Sequence, residues 1–117
     1  MVWTLTQVAL GGALGSVRRY LAVTVVGAPL ATLTVNVAGS FAIGVLFILL
    51  ASRSHLSPLL MAGVLGGFTT FSAFSLDALK LWQSGQITTA LAYISASVGL
   101  SLLAVALGAA LTERLLP

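Results

Sequence analysis

The sequence has no cysteine, one histidine, two acidic residues and five basic ones among 117 residues. Without cysteine there is no disulfide framework, thiolate nucleophile or Cys-ligated zinc. One histidine and two acids leave almost nothing for general acid–base catalysis or a metal cage. Charged residues make up 6% of the chain, against about 25% in a typical soluble domain. Such a chain cannot clothe a water-facing surface, so a soluble enzyme is excluded. The net charge of +3 comes from too few cations to track a phosphate backbone, which excludes a nucleic-acid binder.

What the chain has in quantity is apolar residues. They account for 59% of it, and the mean hydropathy is +1.14. This composition belongs to an all-α integral membrane protein. A span needs about 20 mostly apolar residues to cross a hydrocarbon core of about 30 Å. Four stretches qualify, at residues 3–26, 30–51, 58–82 and 87–111, and they form a single transmembrane domain over residues 1–117. Gly27-Ala28-Pro29, Ser52–Ser57 and Gln83–Gln86 are the connectors. Pro58 suits a first helical turn, where its missing N–H is not needed. Trp3 and Trp82 stand at span ends, where amphipathic rings prefer to lie. No cationic segment or cleavage site precedes the first span, which therefore reads as a span and not as a signal peptide.

Four spans put both termini on one side of the membrane. That side carries Arg53 and Arg114, and the other carries Lys80 with Arg18 and Arg19 if they reach it. Orientation follows an excess of Lys and Arg on the cytoplasmic side, and no clear excess exists here. Insertion in both directions, leading to an antiparallel homodimer, and a single orientation set by local effects are both open on charge alone.

Polar groups inside a membrane are tolerated where protein or a water-filled cavity surrounds them. Four clusters need such an explanation. Gly11 and Gly15 on the first span allow a close helix approach, and Arg18 and Arg19 follow them; an arginine here snorkels to the interface or stands at the mouth of an anion path. Asn36, Ser40 and Gly44 share one face of the second span. Asn36 is a hydrogen bond between helices or an amide donor to an anion. The third span carries GVLGGFTTFSAFS over residues 63–75. Two glycines followed by two threonines predict an unwound segment at membrane depth, which frees backbone groups for an ion. The alternative is an unbroken helix with a small-residue seam. Phe71 and Phe74 of this segment are packing residues, or they offer their positive ring edges to an anion. On the fourth span Tyr93, Ser97 and Ser101 repeat every four residues and form one hydroxyl stripe. Such a stripe is packing glue, or an uncharged track that passes a small anion without trapping it. Asp77 and Lys80, three residues apart, are expected to pair at the interface, and His55 reads as an ordinary loop residue.

GGALGSVRRY in the first span, TLTVNVAGSFAIG in the second and GGFTTFSAFS in the third, in this order on a four-span chain, resemble the Fluc (CrcB) family of fluoride-specific ion channels. Two departures are visible. Arginine is doubled at Arg18-Arg19, with Arg19 the counterpart of the family's single arginine, and Ala73 stands where many members carry threonine. The resemblance implies a passive channel, not an enzyme, that exports fluoride from the cytoplasm across the inner (plasma) membrane and so lowers its toxicity. It implies an antiparallel, dual-topology homodimer with two pores, whose partners are fluoride, the bilayer and its own second copy, and no nucleic acid. It assigns the anion pathway to Asn36, Thr70, Phe71, Ser72, Phe74, Tyr93, Ser97, Ser101 and Arg19. It also implies a structural sodium ion, not transported, on the backbone carbonyls of Gly66 and Thr69. The rival reading is a small multidrug-resistance-type proton-coupled cation antiporter. That chemistry requires a membrane-embedded carboxylate, and the first span has arginines instead.

Overall fold

A computed structural model describes residues 1–51 and 54–116. Arg53, one of the cations in the topology count, lies outside the described residues. Helix α1 (Val2–Val26) and helix α2 (Leu30–Leu49) come first. A short 3-10 turn at Ser54–Leu56 leads into α3, which winds in wide π-helical turns over Pro58–Leu65 and closes with a turn of α-helix at Gly66–Phe68. Helix α4 (Ser72–Gln83) and helix α5 (Ile87–Leu115) complete the chain. No strand occurs among the described residues. Gly27 (φ 87°) and Gly85 (φ 83°) turn the chain after α1 and before α5, at positive φ values that side-chain-bearing residues rarely adopt. Pro58 begins α3 as its sequence position predicts.

Three rods are long and apolar enough to cross a membrane: Leu30–Leu49, Pro58–Gln83 and Ile87–Leu115. α1 has the length, 25 residues, but Gln7 and the two arginines interrupt its apolar run, and it is not among the three. α5 continues past the expected end at residue 111 to Leu115, while α2 stops at Leu49, short of the expected residue 51.

The rods pack in two pairs, α1 on α3 and α2 on α5. Missing side chains make both contacts close. A Cβ on Gly11 would lie 2.8 Å from the Gly63 Cα, one on Gly15 would meet the Val64 carbonyl, and one on Gly67 would lie 2.6 Å from the Gly12 carbonyl oxygen. Gly11 thus meets Gly63, Gly15 meets the Val64 backbone and Gly67 meets Gly12, so small residues stand on each side of one seam. The second seam repeats the device, with Gly44 against the Val105 carbonyl and Gly108 against that of Phe41. The third rod breaks between α3 and α4, and the break changes its neighbour: α3 lies on α1, whereas α4 lies on α5.

Candidate ion pathway

The break falls at Thr69–Phe71, not at the glycines. Gly66 and Gly67 are helical, and Thr69 is extended at φ −87°, ψ 156°. The Gly-Gly pair therefore contributes little unwinding. Gly67 belongs to the close seam with α1, and the threonines leave the helix because side chains compete for their backbone groups. Asn36 of α2 grips the Thr70 peptide from both sides: its Nδ2 donates to the Thr70 carbonyl at 2.8 Å, and its Oδ1 accepts the Thr70 N–H at 2.7 Å. In a continuous helix that N–H would bond the carbonyl of Gly66, four residues back. The Ala73 N–H, which would serve the carbonyl of Thr69, is taken by Thr70 Oγ1 at 3.1 Å. Two carbonyls at the break, those of Gly66 and Thr69, thus lose their regular donors. They are the pair expected to hold a cation. No group of three or more His, Cys, Asp or Glu that could hold a metal occurs among the described residues; backbone carbonyl oxygens are hard donors of the kind that alkali and alkaline-earth cations take.

A cavity of about 640 Å³ opens beside the break. Asn36, Thr70, Phe71, Phe74, Ser97 and Ser101 line it, as do Gly66 and Thr69. Ser40, noted in the sequence on the Asn36 face but not carried into the expected pathway, lines it too. Its apolar wall includes Ile43, Val98 and Leu102. Ile43 lies seven residues past Asn36, and Val98 and Leu102 each follow a lining serine; the helical repeat of Asn36, Ser97 and Ser101 was the signal available for them. No charged side chain lines the cavity. Ser97 is 6% exposed, and its Oγ has no hydrogen-bond partner among the described residues. A buried O–H without a protein partner beside a cavity is an exception that calls for a functional explanation.

Three expected pathway residues lie elsewhere. Arg19 Nε donates to the Gly67 carbonyl at 3.2 Å, where a cation meets the negative end of the α3 helix. Ser72 Oγ lies 3.3 Å from Thr70 Oγ1 at the start of α4 and does not line the cavity. The Tyr93 hydroxyl donates to Asp77 Oδ2 at 3.2 Å. The expected Asp77–Lys80 surface pair is therefore corrected. Asp77 is buried, because its place on α4 faces α5, where the tyrosine hydroxyl receives it. Asp77 and Lys80 border a second, smaller cavity of about 370 Å³, with Ser84 and Gln86. The sequence offered one sign of the Asp77 position, its spacing of three residues from Phe74.

The two phenylalanines differ. Phe74 is buried, with its ring centroid 5.3 Å from that of Tyr93. Phe71 lies 5.4 Å from Phe74, yet 76% of it is exposed. Phe74, Tyr93 and Asp77 form a continuous line from the larger cavity to the smaller.

Residues 6–109 match the family described as CrcB-like protein, Camphor Resistance (CrcB). The chain belongs to the CrcB-like family. A protein of Paracoccus denitrificans named fluoride-specific ion channel FluC is 55% identical, over 92% of this chain and 93% of that protein. A protein of Cereibacter sphaeroides with the same name is 54% identical, over 87% and 88%. One from Saccharophagus degradans, again so named, is 47% identical, over 92% and 88%. The name these relatives share is that of an ion channel and not of an enzyme, and three helices of this chain are long and apolar enough to cross a membrane.

Proposed function

We propose that this chain is a fluoride-specific passive channel that lets fluoride leave the cytoplasm and so lowers its toxicity. The relatives' names support the anion's identity. The observation that carries the mechanism is the cavity: hydroxyl and amide groups beside two phenyl rings, with no charged side chain in the wall. Fluoride holds its hydration shell tightly, and donors from Ser40, Ser97 and Ser101 replace waters one at a time. A fixed cation would trap the anion, whereas uncharged donors and phenyl ring edges bind weakly enough to release it. No carboxylate lines the larger cavity, so the proton-exchanging group of a drug antiporter is missing where its substrate would sit.

The working unit in this reading is an antiparallel, dual-topology homodimer in the inner (plasma) membrane, with α1 spanning as well. The Gly66 carbonyl, which has lost its helical donor, stands near the middle of the third span beside Phe71, which is mostly exposed. Lipid does not satisfy such groups; a second copy of the same face does. The nearly balanced Lys and Arg distribution favours the inverted arrangement. The Gly66 and Thr69 carbonyls, presented by both copies, would hold a structural sodium ion that is not transported; bound there, it supplies positive charge to oxygens left without donors.

Reconstituted liposomes loaded with fluoride test the reading. Fluoride efflux at a rate that chloride does not approach is expected. Equal efflux of the two anions, or none of either from a well-dispersed dimer, would overturn it.

A further inference from the structure

We propose that Asn36 and the Thr70 hydroxyl are positioning residues that keep the Gly66 and Thr69 carbonyls free for a cation. The inference rests on the reading of those carbonyls as cation ligands. A carbonyl at membrane depth recaptures any donor within reach, because an unpaired one is costly. The donors of Thr69, Thr70 and Ala73 are engaged elsewhere. The N–H and hydroxyl of Thr69 both go to the Leu65 carbonyl, at 2.9 and 2.8 Å. The Thr70 N–H goes to Asn36 Oδ1 and the Ala73 N–H to Thr70 Oγ1. Three of these bonds are local to the third span. The fourth comes from a different helix, and it removes the one donor that a regular helix would return to Gly66. α2 also makes room for the break three residues further on. A Cβ on Gly39 would collide with the Thr69 methyl group, so the surface that supplies Asn36 leaves the extended threonine its space. The second N–H of the Asn36 amide is still available to the cavity. Bracing the break is nevertheless the task in which Asn36 uses both its oxygen and its nitrogen.

Sodium-dependent thermal stability of the whole purified chain tests this without measuring flux. Ligand binding to the folded state raises the melting temperature as ligand concentration rises. Melting is followed across a sodium series in which N-methyl-D-glucamine chloride holds ionic strength constant. The wild type is expected to show a sodium-dependent rise. In Asn36→Leu, which keeps bulk and removes both hydrogen-bonding groups, the Thr70 N–H returns to Gly66. The sodium concentration needed for the rise then increases about tenfold or more, as the loss of a ligand-presenting hydrogen bond to a competing donor implies. Thr70→Val is expected to shift the response in the same direction, and Thr70→Ser, which keeps the hydroxyl, to retain it. This pair carries the test if Asn36→Leu does not fold. A structural role alone would lower the sodium-free melting temperature and leave the sodium increment intact; an unchanged increment in Asn36→Leu or in Thr70→Val overturns the proposal. A wild type with no sodium response overturns the cation reading itself, an outcome distinct from failure of the brace.

Discussion

Phe71 and Phe74 sit three residues apart and look alike in the sequence, but the fold gives them different surroundings. Phe74 is enclosed, with its ring tilted at 45° to that of Tyr93, whereas Phe71 is mostly exposed. Phe74→Leu therefore removes an aromatic contact worth about 0.5–1.5 kcal/mol beyond burial. It should lower the melting temperature as well as the fluoride flux. Phe71→Leu should leave the melting temperature within error while cutting flux several-fold to about tenfold, since about 1.4 kcal/mol of barrier is tenfold in rate. Wild-type flux in both variants, each still running as one gel-filtration peak, would return the rings to simple packing. Ser97 gives a cleaner separation. Its Oγ bonds nothing among the described residues, so Ser97→Ala sacrifices no hydrogen bond and removes a buried polar group that costs stability when unpaired. The melting temperature is expected to hold or rise while fluoride efflux falls; efflux equal to wild type would remove Ser97 from the pathway. Sequence periodicity had put Ser97 on the right face, but it could not show that the hydroxyl lacks a partner, because that depends on what the neighbouring helices bring.

At the scale of helices, the glycines divide sharply by what faces them. A Cβ on Gly15 would run into the Val64 backbone carbonyl, which cannot swing aside as a side chain can, whereas nothing lies within 4 Å of one on Gly12. Gly15→Ala is expected to force α1 away from α3 at a cost of about 1–3 kcal/mol. Gly12→Ala should stay within about 0.5 kcal/mol of wild type, or gain slightly from better helix propensity. Thermal melts of the two variants in the same detergent check the contrast, and similar melting temperatures would mean that the seam gives way easily. The spacing of Gly11 and Gly15 announced a close helix contact, but its partner was hidden. Gly67 was legible as part of a break, and the structure uses it, with Gly63, as the opposite half of the seam. The break itself moved to the threonines, because a side chain from α2, more than thirty residues earlier in the chain, decides where the helix stops.

At the scale of the whole molecule, the arrangement in the membrane rests on few charges and one polar face. The chain has no cysteine of its own, so Gln83→Cys, exposed at the end of α4, is a unique label. Impermeant reagent added to intact cells, and separately to inverted vesicles, should label part of the protein from each side. Labelling from one side alone would rule out dual topology. Replacing sodium by a larger cation is expected to lower fluoride flux without sodium itself being carried. Flux undiminished after contaminating sodium is removed would mean that the break needs no cation.

The sequence alone determined that this is an all-helical membrane protein, because so few charges cannot cover a soluble surface and because runs of about 20 apolar residues match the bilayer. It also determined which helix faces carry polar groups, since helical repeat is a property of the chain itself. The tertiary structure decided what those groups do. It turned Asn36 onto the Thr70 peptide and Arg19 onto the Gly67 carbonyl, brought Asp77 to Tyr93 instead of Lys80, and left the Ser97 hydroxyl unpaired at a cavity. Each outcome depends on which donor lies nearest a given acceptor. That distance is set by packing between helices far apart in sequence, and no local pattern of residues encodes it.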